Sequence, residues 1–379
     1  MESFLLCVAL LCSLEAVVLG VAIHVLRPNV VHKKTLIVIA ISLSVIAMCV
    51  NPTQYWDLYR QYEQLDAIRS SGIGLKNFLF YNEMHVGGAD YASLITYNLV
   101  RYLIAYLDYN RLLPFVMTLI TYSIWCYITI DWAEEHKLHG YEIIISMMLS
   151  GVFMPFIFVN SGLRNTSAAA IAAVAVYNNL HKKHHIRELV VLFFLAFTIH
   201  YSTIYIIIIY CLVKICPVKI AAIALFCLTN FVPLIVALFR NSQYEILRKM
   251  ASSFSIYTEN RRINANFYQL GVYVVLIALT LSFILRRGKA IAEKKNDIGL
   301  EKFVLMMILN AIFNIGYYEI VVRPLYTFGT LSTPILYFMY GGKTRLRKEQ
   351  RIFSLLCVSA GLLLVLRVSL PEYLVITYC

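Results

Sequence analysis

Charge is what this chain has least of. Asp, Glu, Lys and Arg together make up 14% of its 379 residues, where soluble domains carry about a quarter. That shortage, with 60% hydrophobic residues and a mean hydropathy of +0.72, excludes a water-soluble globular enzyme. No C-x-x-C pair occurs among the nine cysteines, and most of them (Cys7, Cys12, Cys49, Cys126, Cys211, Cys227, Cys357) lie in apolar segments, so neither a disulfide framework nor a metal site is implied. The first residues lack the basic n-region of a cleavable signal, and Met1 to Leu26 reads as a retained first helix. Internal repeats and low-complexity tracts are also missing, which removes the sequence symmetry that many secondary transporters carry.

What is present is a series of long apolar runs, among them Ile37 to Val50, Ala221 to Phe239, Tyr268 to Leu285 and Ile352 to Leu370. Each approaches or reaches the roughly 17 to 25 residues that a spanning helix needs. The expectation is therefore an all-α, polytopic integral membrane protein, residues 1–379 forming one membrane domain with about 10 to 12 transmembrane helices, some re-entrant.

The formal charge of +12 does not point to nucleic acid, because the basic residues sit in short clusters between apolar runs. Arg27/Lys33/Lys34, Lys182/Lys183/Arg187, Lys214/Lys219, Arg286 to Lys295 and Lys343 to Arg351 are the clusters expected on the cytoplasmic side. Residues 51–111 and 240–267 then form outer loops. Tyr91 to Leu107 carries Asn98 and Arg101 and reads as an interfacial or re-entrant helix. Leu189 to Val213, basic at both ends, reads either as an in-and-out hairpin with His200, Ser202 and Thr203 at its tip or as one ordinary span.

Polar residues inside apolar runs are the candidate functional residues. Arg164 follows Asn160 and Ser161, read as helix start signals, and precedes an Ala-rich helix; a guanidinium there adds to the helix dipole and suits a phosphate or pyrophosphate. Arg323, just before Pro324, is expected at a second outer helix boundary, with Glu319 one turn away as a structural partner. His200 stands in FTIHYSTIY, an otherwise apolar and aromatic run. In the outer loop, Trp56, Asp57, Tyr59 and Arg60 combine aromatic faces with charge, as sugar binding requires, although aromatic belts at a membrane interface look the same. Glu15 is a further buried-helix carboxylate with no assigned role.

Four short motifs carry a resemblance. Trp56-Asp57-Leu58-Tyr59, then Gly162-Leu163-Arg164-Asn165-Thr166-Ser167-Ala168, then Ile199-His200-Tyr201-Ser202, and finally Arg323 with Tyr326 are similar, in order and hydropathy, to the EpsG family of Wzy-type polysaccharide polymerases. Asn165 stands where the family has Gln, and the family's Gly before the outer Asp is missing. The resemblance implies a multi-pass protein of the bacterial cell membrane that transfers a glycan chain from undecaprenyl pyrophosphate to a lipid-linked repeat unit. It implies Arg164 and Arg323 as an anion clamp, His200 as the proton acceptor, and Asp57 as its substitute or as a sugar orienter. Trp56, Tyr59, Arg60 and Tyr326 would bind substrate. No metal ion and no nucleotide cofactor is required, and a flippase and a chain-length regulator are the implied protein partners. Another lipid-sugar glycosyltransferase, a transporter and an envelope scaffold are the rival readings.

Overall fold

The computed structural model describes residues 33–52, 57–80, 94–138, 140–243, 272–280, 297–314 and 318–340, with a few single positions beyond them. Met1 to Leu26 with Glu15, Arg27, Trp56, the side chain of Glu319, and the basic clusters Arg286 to Lys295 and Lys343 to Arg351 lie outside the described residues.

Among the described residues every regular element is a helix. In chain order these are α1 (Lys33–Cys49), α2 (Asp57–Ser71), α3 (Leu75–Phe80), α4 (Ile95–Tyr106), α5 (Leu112–His136), α6 (Gly140–Phe153) and α7 (Phe156–Ser161). They continue as α8 (Leu163–Leu180), α9 (Ile186–Ile199), α10 (Ile204–Ile215), α11 (Val218–Arg240), α12 (Asp297–Phe313), α13 (Tyr318–Thr330) and α14 (Ser332–Tyr340). Residues 272–280 are also helical. One of these helices, α5, is long and apolar enough to cross a bilayer, and Leu36–Cys49, Tyr201–Ile215 and Val218–Leu228 are shorter apolar helical stretches.

α8 is the central helix. Its run of Ala168, Ala169, Ala170, Ala172, Ala173 and Ala175 is buried on all sides, and α5, α9 and α13 pack directly on it. Small side chains let neighbouring backbones approach closely, which is how helices associate where water supplies no drive. Around an apolar core, apolar residues also cover much of the exposed surface and several polar ones are buried. Ile37, Val38, Ile41 and Val45 of α1 and Ile186, Val190, Val191 and Phe194 of α9 are exposed, while Gln61, Asn98, Arg101, His181 and His200 are buried.

Hydrogen bonds at the two ends of α8 fix how its neighbours run. At its C-terminal end Asn178 donates to Glu188 near the start of α9, and Asn179 accepts from Tyr210 in α10. At its N-terminal end Asn165 accepts from Ser202, which lies between α9 and α10. The chain therefore climbs along α8 in α9, reverses at residues 200–203 and descends in α10. This is the hairpin expected from the basic residues at both ends of the segment, and the break rules out one continuous helix. Lys182, Lys183 and Arg187 then share an end of the bundle with Lys214 and Lys219. Cys126 donates to the Leu36 carbonyl, which aligns the Lys33 end of α1 with the later part of α5 and so with the same end.

Two local expectations change. α8 is capped by the backbone of Gly162, not by Asn160 or Ser161; Asn160 belongs to the separate short helix α7 and donates to the Phe156 carbonyl. Arg323 lies inside α13 rather than at a boundary, because packing on α6 and α8 carries the helix through Pro324 despite the lost N–H. Tyr91 to Leu107 contains the twelve-residue helix α4, about 18 Å long and too short to cross, and it packs between α2, α3 and α9.

At the α6–α13 crossing a Cβ on Gly329 would meet the Met154 Cβ at 2.5 Å. Gly329→Ala should therefore destabilise the detergent-solubilised protein by about 1–3 kcal/mol, seen as a lower midpoint of thermal unfolding, because a Cβ cannot swing aside as a side-chain tip can.

Candidate functional site

Four elements converge at the N-terminal end of α8. Arg164, in its first turn, places Nη2 3.1 Å from Oδ2 of Asp57, the first residue of α2. The pair is sheltered rather than dry, with side-chain exposures of 13% for the arginine and 35% for the aspartate, so an incoming anion can compete with the carboxylate. The Arg164 guanidinium also lies 5.5 Å from the centre of the Tyr97 ring, and that of Arg101 lies 5.7 Å from the same ring. Tyr97 is held by donating to Gln61 Oε1 at 2.8 Å, a buried contact between α4 and α2. One aromatic ring thus neighbours two guanidinium groups.

His200 ends α9 in an extended conformation and is 3% exposed. Its Nδ1 lies 2.8 Å from the Ser202 hydroxyl and accepts from the Ser202 backbone N–H at 3.1 Å. The Ser202 hydroxyl donates to Asn165 Oδ1 at 3.3 Å, next in sequence to Arg164. A backbone N–H can only donate, so Nδ1 is the acceptor and the neutral ring carries its hydrogen on Nε2, which offers a substrate a donor rather than the expected proton acceptor. Thr96 and Thr198, 2.7 Å apart, join α4 to α9 beside this turn. The charges of both Arg164 and Arg323 act on the His200 ring, and that of Arg323 on Tyr205, which places α13 at the same end. Tyr326 follows Arg323 by one turn and is buried.

The structure therefore brings Asp57, Arg164, His200, Arg323 and Tyr326 to one end of the bundle. Tyr59 and Arg60 stand on the exposed side of α2. The same helix turns Leu58, Gln61, Leu65 and Ile68 inward. Reading the sequence missed Tyr97 and Gln61 altogether. Arg101 was visible as a charge in an apolar segment and was used only for topology.

The sequence profile of the EpsG family matches residues 37–378. The chain belongs to the EpsG family. That family is one of Wzy-type polymerases, and its polysaccharide-building role is the frame in which the site of this EpsG-family chain is read. No curated protein and no solved structure matches the chain.

If Asp57 and Arg164 form one functional pair, their effects on stability are not additive. Asp57→Asn and Arg164→Gln measured singly and together should give a coupling of about 0.5–3 kcal/mol in chemical or thermal unfolding. Additivity would show that the pair is loose.

Proposed function

We propose that this protein joins lipid-linked oligosaccharide repeat units into a surface polysaccharide at the outer face of the bacterial cell membrane, as a multi-pass protein with about 10 to 12 crossings. The observation that carries the reading is the meeting of Arg164, Asp57, His200 and Arg323 at one end of the bundle, opposite the end that holds Lys182, Lys183, Lys214 and Lys219.

In the reaction a hydroxyl of the acceptor unit attacks the anomeric carbon of the donor glycan, the bond from that carbon to the pyrophosphate oxygen breaks, and undecaprenyl pyrophosphate leaves. Negative charge grows on the leaving oxygens, where preorganised guanidinium groups in a sheltered site stabilise it. Arg164, turned by Asp57 and Tyr97, and Arg323 supply that field. Asp57 takes the acceptor proton, while His200, its Nδ1 held by Ser202 and through it by Asn165, donates from Nε2–H to the substrate. The leaving group is already a pyrophosphate, so this scheme needs no metal ion or nucleotide. A flippase that delivers repeat units to the outer leaflet and a chain-length regulator fit the same scheme.

The test is deletion of the gene in its host, complementation with wild type, Arg164→Ala, Ser202→Ala or Tyr59→Ala, and size analysis of the undecaprenyl-linked glycans. Wild type and Tyr59→Ala should restore polymer, Arg164→Ala should leave single repeat units, and Ser202→Ala should slow polymerisation on the order of tenfold or more. Full-length polymer in the deletion strain would overturn the reading. Failure of single units to reach the outer leaflet would favour a transporter.

A further inference from the structure

The far end of α8 holds a second polar cluster that the reaction does not use. Arg164 and His181 are separated by nearly the whole of α8, roughly 25 Å. Around His181, Asp131 and Glu135 lie one turn apart on one face of α5, the spacing at which a helix presents two ligands together. His181 Nε2 is 3.0 Å from Glu135 Oε2, and the ligating atoms of Asp131, Glu135 and His181 all lie within 4.8 Å of one another.

A buried second layer fixes the histidine. Asp297, at the start of α12, approaches His181 Nδ1 at 2.6 Å through one oxygen and His136 Nε2 at 3.1 Å through the other, and all three side chains are nearly fully buried. The other nitrogen of His136 faces the Trp132 carbonyl at 3.2 Å, and Trp132 stacks on the His136 ring. A carboxylate accepts hydrogen bonds only, so His181 presents N–H to Asp297 at Nδ1. Its Nε2 is thereby aimed at Glu135, a second acceptor, and what lies between them is a proton or a metal ion that takes its place. A ring nitrogen oriented by a carboxylate behind it is the usual arrangement of a metal-bound histidine.

Lys182 now occupies part of this space, with Nζ 2.7 Å from Asp131 and 3.1 Å from Glu135. Tyr177 donates to the same Asp131 carboxylate. The lysine side chain is 26% exposed and can leave toward solvent, unlike His181.

We propose that Asp131, Glu135 and His181 form a binding site for one divalent transition-metal ion of the zinc or manganese class, with the Lys182 ammonium as an internal cation that the metal displaces. One nitrogen and two carboxylate ligands suit such an ion better than magnesium or calcium, which prefer oxygen alone. The fourth position faces the lysine's exit and takes water. Bound metal ties α5 to the end of α8 and, through Asp297, to α12, so it sets the position of the helix that carries Arg164 at its other end.

The full-length protein, in lipid nanodiscs and stripped with chelator, is titrated with Zn2+, Mn2+ and Mg2+ by calorimetry, with the thermal midpoint followed in parallel. Wild type should bind one Zn2+ or Mn2+ per chain and gain thermal stability, with Mg2+ far weaker. Asp297→Asn should weaken binding roughly 10–100-fold without removing a ligand. Lys182→Met should bind the metal more tightly than wild type and recover its stability when metal is added. His181→Ala with Asp131→Asn should bind none. The proposal is overturned if wild type and Lys182→Met take up no more Zn2+ or Mn2+ than that double variant, or if Lys182→Met loses stability that metal does not restore. Both readouts are independent of polymer formation, so they stand or fall apart from the polymerase reading.

Discussion

Polar groups in this fold are placed by a single constraint: a surface that is apolar on the outside leaves the interior as the place to satisfy charge. Buried Arg101, His181, His200, Asp297 and Glu301 would each be costly alone in a low-dielectric interior, so they gather where partners exist. Those places are the two ends of α8. Its alanine-rich middle has nothing to pair and serves for close packing, while its first turn carries Arg164 and Asn165 and its last residues carry Tyr177, Asn178, Asn179 and His181. Separation of chemistry toward the ends of the helix follows from that division.

Both ends are assembled from helices distant in sequence. Arg164 and Asp57 are 107 residues apart, His181 and Asp297 116, and Trp125 reaches Ser332 across 207. Each contact pins one helix to another, and the two clusters act as clasps at the ends of α8. Thr129 with Thr333, and Ser146 with Ser332 and Thr333, extend the same pattern between α5, α6 and α14.

The helical class and the direction of the chain were legible because hydropathy and basic clusters are one-dimensional signals. Arg164 and His200 were legible for a related reason: each interrupts an apolar run. The partners were not. Nothing in YWDLYRQYEQLD separates Asp57 and Gln61, which face inward, from Tyr59 and Arg60, which do not, until the start of α2 is known. Asn165 and Ser202 sat within quoted motifs, yet their hydrogen bond depends on α9 returning along α8. Asp131, Glu135, His181 and Asp297 border basic clusters that were accounted for by topology, so their convergence left no trace in composition. Gly162 in place of Asn160 as the cap is a backbone preference that side-chain propensity does not reveal.

The reversal at His200 has a consequence for depth. α9 has 14 residues and α10 has 12, which give heights of about 21 Å and about 18 Å, against roughly 30 Å of hydrocarbon in a bilayer. In the topology proposed above, with the basic residues at the base of the hairpin at the inner boundary, its tip would stop several ångströms below the outer headgroups. The histidine would then lie below the membrane surface rather than on it, at the floor of any well that opens above the turn. An amphiphile suits such a well, since its polar head can lower into the recess while its tail remains among the lipids alongside.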